Sequence, residues 1–148
     1  MLNLVVEAYE HTDMTVLVKR HPKCRSRKIA QQIRKLTEGY NNVSEVSGSI
    51  HSYLEATKAV YTVNSGVGSE AIIYDLPIFT FGKSDYSAIT KMISERPSDL
   101  SELRDLSFKP STENLRKFYY FYRTKYQIEG EQLQRQRVAE ILDGHGED

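Results

Sequence analysis

The sequence predicts an α/β fold: a Rossmann-like parallel sheet of about four strands with flanking helices, followed by a helical C-terminal region. Three observations predict it. Short apolar, β-branched runs recur at Thr15-Val16-Leu17-Val18, Ala59-Val60-Tyr61-Thr62-Val63 and Pro77-Ile78-Phe79-Thr80-Phe81. Helical patterns separate them. The runs also lack the strict alternation of a sheet with one face in water, as expected of strands covered on both faces.

Leu2, Val5, Val6 and Tyr9 share one helix face, so a short amphipathic helix opens the chain. Thr15 to Val18 is too short and too β-branched for a helix, and His21-Pro22 ends it because the residue before proline resists helical dihedrals. Ser26 is placed to cap a helix carrying Ile29, Ile33 and Leu36, with Gly39 closing it. Val43 to Val46 reads as a weak strand, and Ser49 as the cap of a short helix with Ile50, Tyr53 and Leu54. The Ala59 to Val63 strand runs through Asn64-Ser65-Gly66-Val67-Gly68 into a helix over Ser69 to Tyr74. Pro77 to Phe81 is the fourth strand, stopped at Gly82. Beyond about residue 90, Leu100, Leu103 and Leu106, then Leu115, Phe118, Tyr119 and Tyr122, then Leu133, Val138, Ile141 and Leu142 predict helices, with a frayed tail from Gly144.

At 148 residues the chain is expected to be a single domain, with a nucleotide-binding-type core over 15–90 and helices over 91–143. Twenty Lys and Arg balance twenty Asp and Glu, which removes any global case for nucleic-acid binding. Cys24 is the sole cysteine, and His11, His51 and His145 have no ligand spacing, so neither a disulfide nor a metal site is expected. These histidines read as surface or capping residues. No apolar run is long enough to span a bilayer, and no leader pattern is present, so a cytoplasmic chain is expected.

Ligands of open α/β sheets bind beyond the carboxyl ends of the strands, which turns attention to the residues after Val18, Val63 and Phe81. The first place holds Lys19-Arg20-His21-Pro22-Lys23. Between Asp13 and Glu38 there are eight Lys or Arg and no carboxylate, a local positive field in a neutral chain. A solvated basic helix face explains Arg27, Lys28, Arg34 and Lys35 equally well. His21, fixed by Pro22, is the better candidate for an anion contact. After the third strand, Ser65 and Gly66 precede a helix start whose amides suit a phosphate, with Gly68 allowing close approach. The plainer reading is that Asn64 and Ser65 cap a helix. Glu70 is placed to accept hydrogen bonds from ribose hydroxyls, or simply to complement the helix dipole. The tyrosines at 119, 120, 122 and 126, spaced with Leu115 and Phe118, read as core and interface more than as a stacking platform.

The series Val18-Lys19-Arg20-His21-Pro22, then Ala59-Val60-Tyr61-Thr62-Val63-Asn64-Ser65-Gly66-Val67-Gly68-Ser69-Glu70-Ala71, then Leu76-Pro77-Ile78-Phe79, Gly82 and Tyr86, resembles the C-terminal half of the capsule polysaccharide biosynthesis proteins. The resemblance covers residues 15–90, with Asp75 standing where the family usually has glycine and Gly66 where a hydroxyl residue is frequent. It implies a GT-B-fold, Kdo-transferase-like glycosyltransferase using a CMP-sugar and no further cofactor. It also implies that the His21-Pro22 motif and the Ser65 turn hold the nucleotide phosphate and that Glu70 engages the ribose; with Lys19, Gly66 and Gly68 beside them, these are the nucleotide-binding residues expected. Only one of the two Rossmann-like halves of such an enzyme fits this length. The function expected is therefore the donor-binding domain of a capsule or lipopolysaccharide glycosyltransferase, completed by an acceptor-domain partner protein and cytoplasmic or peripheral to the inner membrane. The alternative is a non-catalytic nucleotide-binding or subunit-interaction module.

Overall fold

The computed structural model describes residues 1–121 of a chain that divides into two compact units, 1–109 and 110–148. The first unit opens with α1 (Leu2–Tyr9), β1 (Val16–Lys19), α2 (Arg27–Gly39), β2 (Val43–Val46) and α3 (His51–Leu54). It continues with β3 (Val60–Thr62), α4 (Val67–Ala71), β4 (Ile78–Thr80) and β5 (Lys91–Met92). The described part of the second unit is α5 (Thr112–Phe121). The expectations at Tyr122, Tyr126 and from Leu133 onward lie outside the described residues.

All the strand pairs are parallel, β1 with β2 and, in a second sheet, β3-β4-β5 in that order. This is the α/β architecture the sequence predicts, divided over two ladders instead of one sheet. β5 is an addition the pattern did not announce: a two-residue strand of Lys and Met carries no apolar run. The ladder continues one step past it, where the Ile93 N–H donates to the Thr80 carbonyl at 2.8 Å.

α1 and α2 cover the ladders through the faces their sequences made apolar. α1 presents Val5, Ala8 and Tyr9 to Phe79, Ile93 and Leu103, with Tyr61 and Met14 at the margin. Its other buried residue, Val6, joins Val18, Ile33 and Val43, so α1 and α2 share a cluster over β1 and β2. Val16 touches both clusters and joins the two ladders through side chains. The Asn42 amide ties the same region together, donating to the carbonyls of Tyr9 at 2.8 Å and Met14 at 3.1 Å. α2 starts as expected, with Ser26 Oγ accepting from the Ile29 N–H.

Three local expectations are corrected. α3 begins after Ile50 without a side-chain cap, so Ser49 is not its cap; Gly48, at φ +89, turns the chain into the helix instead. α4 starts at Val67, two residues before Ser69, and its end tightens into a 3-10 turn over Ile72–Tyr74. That turn stops at Asp75 in the left-handed region, φ 52, a conformation that Asp tolerates better than most side chains and that accounts for the usual glycine there. Finally, Leu100, Leu103 and Leu106 form no α-helix. Their spacing of three is that of a 3-10 turn, seen over Leu100–Leu103, capped by Asp99 through the Ser101 N–H at 2.8 Å.

At the centre of the second sheet Tyr61 and Phe79, register partners on β3 and β4, stack at 4.8 Å with Phe79 fully buried. Behind them the Tyr9 and Tyr61 hydroxyls lie 2.7 Å apart, and both donate to the Leu103 carbonyl. Burial first, then the Tyr9 hydroxyl, pushes Tyr61 above the usual tyrosine range. The folded form therefore holds its proton where the unfolded chain loses it, so this contribution to stability is whole below pH about 10 and is lost as pH rises beyond it. Tyr61→Phe is expected to cost about 1 kcal/mol at neutral pH and to flatten the fall in stability above pH about 10. Denaturant unfolding of both proteins at neutral and alkaline pH checks it.

Candidate functional site

Both candidate loops follow a strand's carboxyl end. β1 ends at Lys19, half-buried opposite Val46. A four-residue turn follows at once, the Cys24 N–H donating to the His21 carbonyl at 2.8 Å, with Pro22 in the position that favours its fixed φ. Within that turn the Lys23 N–H donates to His21 Nδ1 at 3.1 Å. With Nδ1 an acceptor, the neutral imidazole carries its proton on Nε2, on a ring exposed to solvent. His21 thus offers a fixed N–H donor.

The basic segment around it is only partly neutralised. Arg20 Nε lies 3.7 Å from Glu45 Oε1, and Arg34 Nε lies 3.0 Å from Glu38 Oε1 one helical turn away. Lys19, Lys23, Arg25, Arg27, Lys28 and Lys35 have no carboxylate within ion-pair distance among the described residues. Surface ion pairs are worth little, so the field at the end of β1 stays positive.

The loop between β3 and α4 is folded on itself. Thr62 Oγ1 accepts from the Ser65 N–H at 3.2 Å, Ser65 Oγ accepts from the Val67 N–H at 3.4 Å, and the Ser65 carbonyl accepts from the Gly68 N–H at 2.9 Å. Two of the first amides of α4 are thereby engaged inside the loop. Gly66, at φ −53, is the N-cap position, with no side chain capping it. The Ser69 hydroxyl donates to the Gly66 carbonyl at 2.7 Å, and the Glu70 N–H does so at 3.2 Å, which sets Glu70 one turn above that glycine.

Tyr86 fixes the loop from outside. Its hydroxyl donates to the Ser65 carbonyl, and its ring lies where a side chain on Gly68 would stand: a Cβ there falls 2.4 Å from one ring carbon. Gly66, by contrast, has open space around it. The buried glycine is thus required by a tyrosine, a packing role that motif spacing alone does not reveal.

Glu70 has a partner that sequence reasoning missed. Its Oε2 lies 3.4 Å from His51 Nε2, and His51 Nδ1 lies 3.0 Å from the Tyr74 hydroxyl. His51 is indeed on the surface, but it links two consecutive turns of the α4 segment. The signal in the sequence was the four-residue interval between Glu70 and Tyr74; nothing pointed to position 51. The described contacts of His21 are local to its turn, as those of Ser65 are to its own loop and Tyr86.

This arrangement of loops on parallel strands coincides with a family match: the model for "Capsule polysaccharide biosynthesis protein" covers residues 1–94. The chain belongs to that family. Membership extends from α1 through β5, beyond the 15–90 of the motif series, and gives the chain a capsule-polysaccharide biosynthetic context. No curated protein and no solved structure matches the chain. Among the described residues, no cluster of three or more His, Cys, Asp or Glu is arranged to hold a metal ion, and no helix is long and apolar enough to cross a membrane.

The Gly68 contact sets a direct comparison. Gly68→Ala forces the Tyr86 ring away and is expected to cost about 1–3 kcal/mol, while Gly66→Ala stays within about 0.5 kcal/mol of the unmodified chain. Thermal unfolding of the two variants measures the difference.

Proposed function

We propose that this chain is the donor-binding part of a capsule or lipopolysaccharide glycosyltransferase of the GT-B type, taking a sugar nucleotide, in first place a CMP-sugar. The observation that carries the reading is the paired chemistry on two strand-end loops of a capsule-family chain. A fixed imidazole N–H amid unpaired cations follows β1, and a glycine-containing turn leading to a carboxylate follows β3. A nucleotide monophosphate needs these complements. Its phosphate calls for hydrogen-bond donors and positive potential, supplied by His21, Lys19, the Gly66 N–H and the Ser65 hydroxyl, with Pro22 and Gly68 holding the two backbones in shape. Its ribose hydroxyls call for an acceptor, supplied by Glu70.

The chemical contribution of these groups is positioning and charge stabilisation as the nucleotide leaves. The acceptor and the group that activates it come from a partner protein or domain. The working location in this reading is the cytoplasm, or the periphery of the inner membrane.

Calorimetry on the full chain tests this. CMP binding is expected, weakened about tenfold or more by His21→Ala and also reduced by Ser65→Ala. Thermal shifts with CMP, UDP, GDP and ADP rank the base. Binding that is equal for all four nucleotides, or unchanged in both variants, overturns the assignment of the donor and of these residues. CMP binding without sugar transfer in the presence of the acceptor-bearing partner favours a non-catalytic nucleotide-binding module instead.

A further inference from the structure

We propose that Tyr74, hydrogen-bonded to His51, and His51, in ion-pair-range contact with Glu70, form a relay that positions the Glu70 carboxylate, so that the three residues together make a subsite selective for a ribose cis-diol over a deoxyribose. This rests on the nucleotide reading and deepens it.

For the neutral imidazole one tautomer gives both ring nitrogens a complementary neighbour. The Tyr74 hydroxyl donates to His51 Nδ1 at 3.0 Å, which puts the ring proton on Nε2, 3.4 Å from Glu70 Oε2. The imidazole and phenol rings lie 6.0 Å apart and tilted by 35°, so the hydroxyl reaches the ring nitrogen edge-on. Glu70 Oε1 has no partner among the described residues, and the carboxylate is 42% exposed. One oxygen thus faces the imidazole and the other is without a described partner, one turn above the Gly66 carbonyl that anchors the Glu70 amide. A free glutamate on a five-residue helix would sample several rotamers, and each ligand hydrogen bond would first have to meet that entropy. Held from behind, the carboxylate is preorganised to accept from a pair of hydroxyls.

The charges around the relay leave that role open. Glu55, one turn after His51, makes no ion pair with it among the described residues, and Asp75, next after Tyr74, is bound to Lys109. Neither displaces His51 from Glu70.

A purely structural clamp would look similar in coordinates but not in binding, because it would affect all ligands alike. The test is therefore a ratio: the dissociation constants of dCMP and CMP, measured by calorimetry on the full chain and its variants. In the unmodified chain dCMP is expected to bind about tenfold more weakly than CMP, the weight of a hydrogen bond to a charged acceptor. Glu70→Gln brings the ratio close to one. His51→Ala lowers it at least about threefold, and His51→Gln, which keeps an N–H donor, restores most of it. Tyr74→Phe removes one hydroxyl and gives an intermediate ratio, so the relay remains testable should His51→Ala unfold. A ratio that survives His51→Ala and Tyr74→Phe while Glu70→Gln abolishes it overturns the relay and leaves the nucleotide reading standing. A ratio near one in the unmodified chain also overturns the relay alone. Binding of neither nucleotide overturns both.

Discussion

The shape of the β3–α4 loop depends on the contact between Gly68 and Tyr86. The tyrosine ring occupies the volume of a missing side chain, and its hydroxyl holds the Ser65 carbonyl. That carbonyl also accepts the Gly68 N–H, so ring position and helix start are determined together. Thr62 Oγ1 and Ser69 Oγ complete the loop from either side, and the Glu70 backbone follows from the Gly66 carbonyl. Position 86 lies beyond β4, and β4 pairs with β3 in register, which brings the tyrosine back beside the loop. The sheet thus sets the distance, the glycine lets the ring in, and the carboxylate is carried to its place by the resulting turn.

How far the fold was readable depended on how local its causes are. α1, α2, β1 and β2 were legible because each is governed by its own residues: apolar spacing, a Ser26 cap, a proline after the strand. The region after residue 90 was not, because the leucine interval of three suits two kinds of helix and only the Asp99 cap and the packing of Leu103 decide between them. β5 was invisible for the opposite reason. Lys91 and Met92 have no strand pattern of their own and are recruited by the edge of β4, with the Lys91 ammonium 5.6 Å over the Phe79 ring. A pattern search finds elements that would form by themselves, and it misses elements that a neighbour imposes.

The candidate site divides along the same line. His21 could be singled out because proline and the turn that follows are adjacent in the chain, and the Nδ1 contact to Lys23 is a consequence of that turn. Glu70 could be singled out because it sits on the helix after a glycine turn. His51 could not, because its two contacts lie 19 and 23 positions away and exist only once α3 packs beside α4. From the sequence Gly68 reads as room for a phosphate, while its evident constraint is a tyrosine 18 residues on. The two demands agree, since a backbone pinned by an aromatic ring is also a backbone held in one shape for a ligand.

The charge distribution provides the last step. Over the whole chain positive and negative side chains cancel, yet the cations gather before Glu38 and the turn after β3 leads to a carboxylate in contact with the His51 imidazole. A molecule recognised by both loops must therefore be anionic at one end and rich in hydroxyl donors at the other. A free phosphate satisfies only the first condition and a neutral sugar only the second. A nucleotide bearing a ribose satisfies both, because its phosphate and its diol are separated by a fixed covalent spacing and demand opposite electrostatics. Cations that remain unpaired keep their attraction for an anion, at a cost in folding that is small because they stay in water. In the proposed site the carboxylate needs a partner behind it, since an anion that is to meet a nucleotide must be held in place to accept hydroxyl hydrogens without being repelled by the ligand's own charge. His51 meets that requirement with an N–H at one edge and a tyrosine hydroxyl at the other, and this is why an exposed histidine in this position has a physical task.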